Sequence, residues 1–207
     1  MTPSTHNVSG SKTSGDQMTD LVIQARDGNR FAFDQIIDRY QGDIYRMIYY
    51  RIRARMDAED LTQDVFIRAY RNISRIREPR KFRSWLFTIA VNRVNDYLRK
   101  KKVRSIFKSS DEGTEFQPDA TQFRDQPEAL EQVLKEDFWR QVGLILKKLS
   151  RMEREVFLLR FLDNLNLNEI AQTLKKSEST VKTHLYRALA KFKKEKELRQ
   201  FLQEDLT

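Results

Sequence analysis

The sequence predicts an all-α fold made of two small helical domains joined by a flexible acidic linker. Apolar residues recur at three- and four-residue spacing, which is the period of a helix with one buried face. Glycine and proline are scarce, at 6 and 4 of 207 residues, and no segment sustains the alternation typical of strands. The charge changes sign along the chain, and this change predicts where one domain ends and the next begins.

The charge distribution divides the chain into four segments. Residues 1–17 are neutral and polar and match no motif, so we expect a disordered N-terminal tail. Residues 18–108 carry 21 basic and 11 acidic side chains, a net charge of +10. Residues 109–133 carry one Arg against seven acids and contain proline, which predicts the linker, and residues 134–207 carry 16 basic groups against 11 acids. Two linked basic domains suggest a polyanion that is held at two places.

Composition excludes several classes of function. The chain has no cysteine and only two histidines, so a disulfide, a thiolate nucleophile and the usual zinc sites lack their side chains. No apolar run approaches the roughly 18 residues of a membrane span, and the polar N-terminus lacks the apolar stretch of a signal peptide. We therefore expect a cytoplasmic protein without a cofactor.

Helical spacing accounts for the whole of the first basic block. A short amphipathic turn over residues 20–26 comes first. The helix after it buries one stripe of residues, namely Phe33, Ile36, Ile37, Tyr40, Ile44, Met47 and Ile48. Another helix follows Asp57, with Leu61, Val65, Ala69 and Ile73 on its core side. A third runs from about residue 82 to residue 101.

Polar side chains near the start of the helix after residue 57 form an acidic patch, which consists of Asp57, Asp60, Gln63 and Asp64. The three carboxylates fall at i, i+3 and i+7, about a quarter turn from the buried stripe. Such a patch could hold a metal ion, dock a partner protein or simply be solvated. Metal binding is the least favoured, because carboxylates along one helix rarely converge on one ion. An acidic surface in a block of net charge +10 suits a basic protein surface better than nucleic acid.

The third helix combines aromatic, amide and cationic groups. Trp85, Asn92, Asp96 and Arg99 lie close to one line along it, and Lys100, Lys101, Lys102 and Arg104 follow. Rings stack on unpaired bases, amides bond to base edges and cations contact phosphates. The alternative is that Trp85 is a core residue, as aromatic residues on amphipathic helices usually are. The cationic run favours binding to a nucleic acid.

The second basic block ends in a pattern typical of a helix-turn-helix. Ser150 with Glu153, and Asn166 with Glu169, are capping boxes that open two successive helices. The polar turn KKSE follows, and the last helix buries Val181, Leu185, Ala188, Leu189 and Phe192.

The opposite side of the last helix carries Ser179, Thr183, Tyr186, Arg187 and Ala190, and Thr180 and Lys182 flank it. We call Ser179, Thr180, Lys182, Thr183, Tyr186 and Arg187 the reading face. Side chains of this kind enter the major groove of a duplex in helix-turn-helix proteins, where an Arg such as Arg187 suits guanine. Lys191, Lys193 and Lys194 would contact phosphates. His184 lies to the side and is expected to be an ordinary surface residue. A basic helical hairpin can also have a purely structural role. Here the two caps, the short turn and the cationic face together favour duplex binding.

Taken together, these segments resemble the bacterial sigma factors of the extracytoplasmic-function type. The resemblance covers about residues 18–194. It is carried by three strings in the order found in that family: DAEDLTQDVFIRAY from residue 57, FRSWLFTIAVNRVNDYLRK from residue 82, and LSRMEREVFLLRFLDNLNLNEIAQTLKKSESTVKTHLYRALAKFKK from residue 149. It implies a region 2 domain over residues 18–108 that recognises and melts the −10 promoter element, and a region 4 domain over residues 134–207 that recognises the −35 element.

The resemblance also implies partners and residue roles. The acidic patch matches the segment that docks on the clamp helices of core RNA polymerase, and region 4 would meet the polymerase flap. The groups implied to engage the melted −10 strand are Trp85, Asn92, Arg99, Lys100 and Lys101, while Asp96 would stabilise the helix by pairing with a neighbouring cation. The linker would thread the RNA-exit path, an anti-sigma factor could occlude both domains, and the protein would not be an enzyme.

Two other classes of protein stay open at this stage. A duplex-binding regulator would share the last 60 residues but would have no use for the first basic block. A nuclease would use Asp57, Asp60 and Asp64 with magnesium. A pull-down with core polymerase separates the regulator from a sigma factor, and metal-dependent cleavage is the test for the nuclease.

Overall fold

The structure, a computed structural model, describes residues 14–108 and 143–194. All regular secondary structure in these two ranges is helical. The predicted linker and residues 1–13 of the predicted tail lie outside the described residues.

The first domain, residues 14–108, is a bundle of long helices around a large apolar core. Its helices are α1 (Ser14–Arg26), α2 (Arg30–Ile52), α3 (Arg55–Asn72) and α4 (Phe82–Lys108), with 3-10 turns at Ile73–Arg75 and Pro79–Lys81 between the last two. The stripe predicted on α2 is buried apart from Ile37, which is partly buried. Leu86 and Phe87 of α4 are completely buried and pack into the same core.

Helix α1 begins six residues earlier than the sequence predicts, at Ser14 instead of Asp20. Residues 14–17 are therefore helical, and the boundary predicted for the tail is four residues too late. The hydroxyl of Thr19 donates to the carbonyl oxygen of Gly15 at 2.9 Å within this added turn. Residues 15–17 are exposed, so they lack the apolar spacing from which a helix is predicted.

The second domain, residues 143–194, contains the predicted helix-turn-helix. Residues 143–148 are helical, and α5 (Arg151–Phe161), α6 (Leu167–Leu174) and α7 (Glu178–Lys194) follow. Both predicted capping boxes are confirmed, because Ser150 and Asn166 exchange hydrogen bonds with Glu153 and Glu169. Lys175, at a φ of 52°, ends α6 in the left-handed conformation and turns the chain into α7.

The two domains pack against each other, and we call this contact the seam. Apolar residues of the second domain belong to the same buried cluster as the core of the first, namely Val156, Leu159, Leu165, Ile170, Ala171 and Val181. A separate small cluster of Ile145, Leu149, Ala188 and Phe192 supports the other side of the second domain. The sequence predicts two domains but does not predict that they share a core.

Candidate functional site

Asp57, the first member of the acidic patch, is partly buried against α4. The hydroxyl of Tyr97 donates to Asp57 Oδ2 at 2.6 Å. Burial and this hydrogen bond raise the pKa of Tyr97 to about 12, so the phenol keeps its proton over the physiological range. Asp57 therefore ties α3 to α4, and Tyr97 is its partner on α4.

Asp64 is also engaged with α4. Its carboxylate forms ion pairs with Arg93 of α4 and, at 3.3 Å, with Arg68 one turn further along α3. Asp60 and Gln63, by contrast, are exposed. The structure thus divides the acidic patch into two carboxylates that hold the bundle together and an acid–amide pair that faces solvent.

Exposed apolar side chains continue the line of Asp60 and Gln63 along α3. Met56 is 80% exposed, Ile67 48% and Tyr70 44%. Together the five residues fall at i, i+4, i+7, i+11 and i+14, which places them on one side of the helix. We call Met56, Asp60, Gln63, Ile67 and Tyr70 the α3 stripe. The apolar members of this stripe are not among the predicted site residues, although their helical spacing on the side away from the core is visible in the sequence.

An exposed apolar stripe with an acid at its centre is typical of a protein-docking surface. Ile67 and Tyr70 also line a groove against α2, with Phe33 and Ile37 on its other side. This arrangement suits a partner that offers both cationic and apolar groups.

The face predicted on α4 is divided by burial. Trp85 is partly buried, with its ring centroid 5.6 Å from that of Phe82, and packs against the core. Trp85 therefore contributes to the core, as the alternative interpretation predicts, but part of its indole stays accessible. Asn92, Arg99 and Lys100 are exposed, as is Lys101. The cationic end of α4 is thus open to a polyanion.

Asp96 pairs with neighbouring cations, which confirms the prediction made for it. Its Oδ1 accepts from Arg99 Nη2 at 2.9 Å, and its Oδ2 lies 3.6 Å from Arg93 Nη1. Asp96 thus lies between two arginines of α4 and partly offsets their charge.

The reading face of α7 is largely open. Ser179, Lys182, Thr183 and Arg187 are exposed, and Tyr186 is 67% exposed. This face therefore presents hydroxyl, aromatic and cationic groups without further rearrangement.

Thr180 differs from the rest of the reading face because it takes part in the cap of α7. Ser177 Oγ accepts from the Thr180 N–H at 3.2 Å and lies 2.8 Å from the Thr180 hydroxyl. The structure thus adds Ser177 to the residues that shape this helix, and it places Thr180, which is partly buried, beside Ser177.

Lys191, which is predicted to contact phosphates, is engaged within the second domain. Its Nζ forms an ion pair with Glu153 Oε2 at 2.6 Å. The hydrogen bond from Lys191 and the backbone bond from Ser150 lower the pKa of Glu153. Lys193 and Lys194 are exposed at the end of α7.

Within the described residues, no group of three or more His, Cys, Asp or Glu side chains is arranged to hold a metal ion. The carboxylates of Asp57 and Asp64 instead contact groups of α4. In the same part of the chain, no helix combines the length and the apolar character needed to cross a membrane.

Two protein-family models match the chain, one in each domain. Sigma-70 region 2 matches residues 36–104, and Sigma-70 region 4 matches residues 139–192. The first match covers α3 and most of α4, and the second covers the helix-turn-helix. Each family model thus covers one of the two domains.

Characterised relatives give the same result. The chain is 33% identical to the ECF RNA polymerase sigma factor SigW of Bacillus subtilis, covering 84% of this chain and 94% of SigW. It is also 33% identical to the ECF sigma factor BldN of Streptomyces coelicolor, covering 84% of this chain but only 63% of BldN.

A solved structure of CnrH in complex with the cytosolic domain of CnrY is similar in fold, with a TM-score of 0.63 and 26% identity. The similarity covers 92% of this chain and 99% of CnrH. The chain therefore belongs to the ECF RNA polymerase sigma factors, which direct promoter-specific transcription initiation with RNA polymerase.

Proposed function

We propose that the two domains divide the work of initiation between protein docking and promoter reading. The first domain, residues 18–108, docks on the clamp helices of core polymerase and engages the −10 element. The second, residues 134–207, meets the polymerase flap and reads the −35 duplex. The observation that carries this proposal is the segregation of exposed surfaces: an acid–apolar stripe on α3, and cationic faces on α4 and α7.

The α3 stripe is the proposed docking surface on polymerase. Asp60 and Gln63 supply its polar centre, and the exposed side chains of Met56, Ile67 and Tyr70 supply the apolar area that a stable interface needs. Asp57 and Asp64 support this surface from behind, because their contacts with Tyr97 and Arg93 fix α3 against α4.

Helix α4 is the proposed site for the melted −10 strand. Arg99, Lys100 and Lys101 would hold phosphates, Asn92 would bond to a base edge, and the accessible part of Trp85 would stack on a base. Unstacking a base costs a few kcal/mol, which these contacts must offset. Binding of the strand would then drive local melting without any chemical step.

Helix α7 is the proposed reader of the −35 element. Its exposed reading face would enter the major groove, with Arg187 addressing a guanine and Lys182 a phosphate. Ser179, Thr183 and Tyr186 would contact bases or backbone.

We extend the proposal to three further properties. An anti-sigma factor is expected to hold the protein inactive, and the complex of CnrH with the cytosolic domain of CnrY supports a protein partner of this kind. The protein is expected to act in the cytoplasm, where its polymerase is. It is expected to catalyse no reaction, and magnesium-dependent cleavage of DNA by the purified protein would contradict this.

Reconstitution with core RNA polymerase tests the proposed function. We expect run-off transcription from a subset of genomic fragments, with footprints over both promoter boxes, only when the protein and core polymerase are both present. A promoter shift by the protein alone, with no binding to core polymerase, would favour the duplex-binding regulator instead.

A further inference from the structure

All the sulfur in this chain is carried by thioethers. The sequence has no cysteine and five methionines, so a methionine is the side chain that hydrogen peroxide oxidises most readily. The reagent must touch the sulfur atom to react with it. The exposure of each methionine therefore decides where the folded chain is oxidised first.

The four methionines in the described part of the chain differ widely in exposure. Met47 is completely buried in the core of the first domain. Met18 and Met152 are partly buried, and Met18 packs against that core. Met56, by contrast, is 80% exposed. Among these four residues, Met56 is thus the one that peroxide in solution reaches without any opening of the fold.

The fold around Met56 can accommodate an added oxygen atom. Met56 lies in the first turn of α3, beside Asp57, which accepts a hydrogen bond from Tyr97, and close to Ala58, which is completely buried. These neighbours hold the start of α3 against the rest of the first domain, and Met56 takes no part in that contact. Oxidation of Met56 should therefore leave the folded bundle intact, whereas oxidation of Met47 would disrupt its core.

The oxidation of Met56 by hydrogen peroxide is a two-electron step. A lone pair of Sδ attacks one peroxide oxygen, and an S–O bond forms as the O–O bond breaks. The transferred hydroxyl gives its proton to the departing hydroxide, which leaves as water, so the thioether is oxidised to a sulfoxide and the peroxide is reduced. A thiol-dependent methionine sulfoxide reductase reverses the change, because two thiols become a disulfide while the sulfoxide oxygen leaves as water.

The sulfoxide changes the character of the α3 stripe. Met56, Ile67 and Tyr70 are the residues that give this stripe its exposed apolar area. A sulfoxide is polar and accepts hydrogen bonds, so its burial against an apolar partner surface costs free energy unless a donor lies opposite. Asp60 follows Met56 by four positions on the same side of α3, so the new oxygen also adds a second acceptor near this carboxylate.

An unoxidised methionine suits a docking surface. Methionine is enriched at protein interfaces, where its flexible and polarisable side chain fits irregular partner surfaces. Met56 is also the most exposed of the large apolar side chains in the described residues. The thioether that favours docking is therefore the same group that an oxidant reaches most easily.

We propose that Met56 is a reversible oxidation site through which peroxide lowers the affinity of the protein for core RNA polymerase. The modified residue lies on α3, away from the cationic faces of α4 and α7, so oxidation acts on assembly with polymerase and leaves the reading of promoter sequence unchanged. This inference rests on the proposed docking role of the α3 stripe.

Mass spectrometry of the folded full-length chain tests the selectivity of the oxidation. The protein is treated with increasing amounts of hydrogen peroxide, and the oxidised fraction of each methionine is measured after the reaction is stopped. We expect Met56 to react at least roughly tenfold faster than Met47, with no change in the circular dichroism spectrum. Equal rates at Met56 and Met47 in the folded chain would overturn the proposal.

Competition for core RNA polymerase tests the consequence for binding. The oxidised chain is separated from peroxide before it is mixed with untreated polymerase. We expect it to lose roughly tenfold in affinity, about 1.4 kcal/mol, and to regain this affinity after treatment with the reductase. Undiminished binding by a chain that is fully oxidised at Met56 would contradict the proposal.

Two leucine variants assign the loss of affinity to one residue. Met56→Leu has no thioether at this position, so its own affinity should be the same before and after peroxide. Met152→Leu removes a partly buried methionine of the second domain and is the matched control, which should stay as sensitive as the unmodified chain. If peroxide lowers the affinity of Met56→Leu as much as that of Met152→Leu, another residue is responsible and the proposal is wrong.

A permanent polar substitution distinguishes failure of this inference from failure of the proposed function. Met56→Gln introduces a polar side chain of similar length and needs no oxidant. If Met56→Gln competes as well as the unmodified chain, Met56 has no part in docking, and both the assigned stripe and the inference fail at this residue. If Met56→Gln loses affinity but Met56 resists peroxide in the folded chain, the inference fails and the docking surface stands.

Discussion

The first domain has a core of its own, whereas the second domain shares one. Ile36, Ile44, Met47 and Phe87 are completely buried among four helices that run 13 to 27 residues. Helices α5 and α6 have only 11 and 8 residues, and much of their apolar surface packs on the first domain. The comparison teaches that the region carrying the reading face depends on local caps and on a neighbour for its stability.

Removal of a large core side chain from the first domain should have the largest effect on stability. Phe87→Ala should lower the free energy of unfolding by roughly 3 to 5 kcal/mol, because the ring is completely buried. Urea denaturation followed by circular dichroism measures this loss. Along the urea transition the second domain should unfold together with the first, and a second domain that stays folded after the first has unfolded would contradict the dependence described above.

Loss of Arg187 should act on recognition and leave stability almost unchanged. We expect Arg187→Ala to weaken discrimination of the −35 element by roughly 1 to 3 kcal/mol, because a guanidinium bonds to guanine at two points. Competition binding of the holoenzyme with −35 variants measures it. Lys176→Ala, an exposed cation outside the reading face, is the control. An unchanged sequence preference would reject the assignment of this face.

The N-terminal cap of α6 tests how much the second domain depends on local contacts, and its expected effect is smaller. Asn166→Ala should cost the second domain about 1 kcal/mol, because the Asn166 side chain accepts from the Glu169 N–H at 2.9 Å. Thermal denaturation of the full chain measures the change. The same variant should weaken −35 binding only slightly, and a loss as large as that of Arg187→Ala would mean that the cap also contacts DNA.

The smallest predicted effect is a dependence on acid pH. The pKa of Glu153 is lowered in the folded protein, so its contribution to stability is present above its ordinary pKa of 4.5 and disappears as the pH falls through the folded value. Lys191→Met should reduce this loss, since Lys191 is the main cause of the shift. Melting temperatures of both proteins between pH 3 and 6 test it, and parallel curves would contradict the role of the pair.

Local features of the fold are the ones that the sequence predicts well. The two capping boxes join residues three positions apart, so their pattern is readable directly. The stripe on α2 follows from periodicity for the same reason. The start of α1 was missed because residues 15–17 are exposed and carry no apolar signal.

Contacts between distant segments could not be predicted from the sequence. Arg51 and Asp163 lie 112 positions apart in the sequence. The chain has 39 basic residues, and nothing in the sequence distinguishes a buried arginine from an exposed one. The same limit applies to the acidic patch, where spacing places Asp57 and Asp64 on the surface but does not show Tyr97 and Arg93 opposite them. Spacing alone therefore identifies candidate site residues without separating those that face a partner from those that hold the fold.

Asp60 separates these two roles most directly, because it is exposed while Asp57 and Asp64 contact α4. The decisive measurement is competition for core RNA polymerase between the unmodified chain, Asp60→Arg and the control Asp27→Arg. We expect Asp60→Arg to lose at least about tenfold in affinity while it stays folded, since a buried like-charge contact at the interface costs several kcal/mol. We expect Asp27→Arg to compete like the unmodified chain. Full competition by Asp60→Arg would contradict the division between a docking stripe on α3 and DNA-reading faces elsewhere.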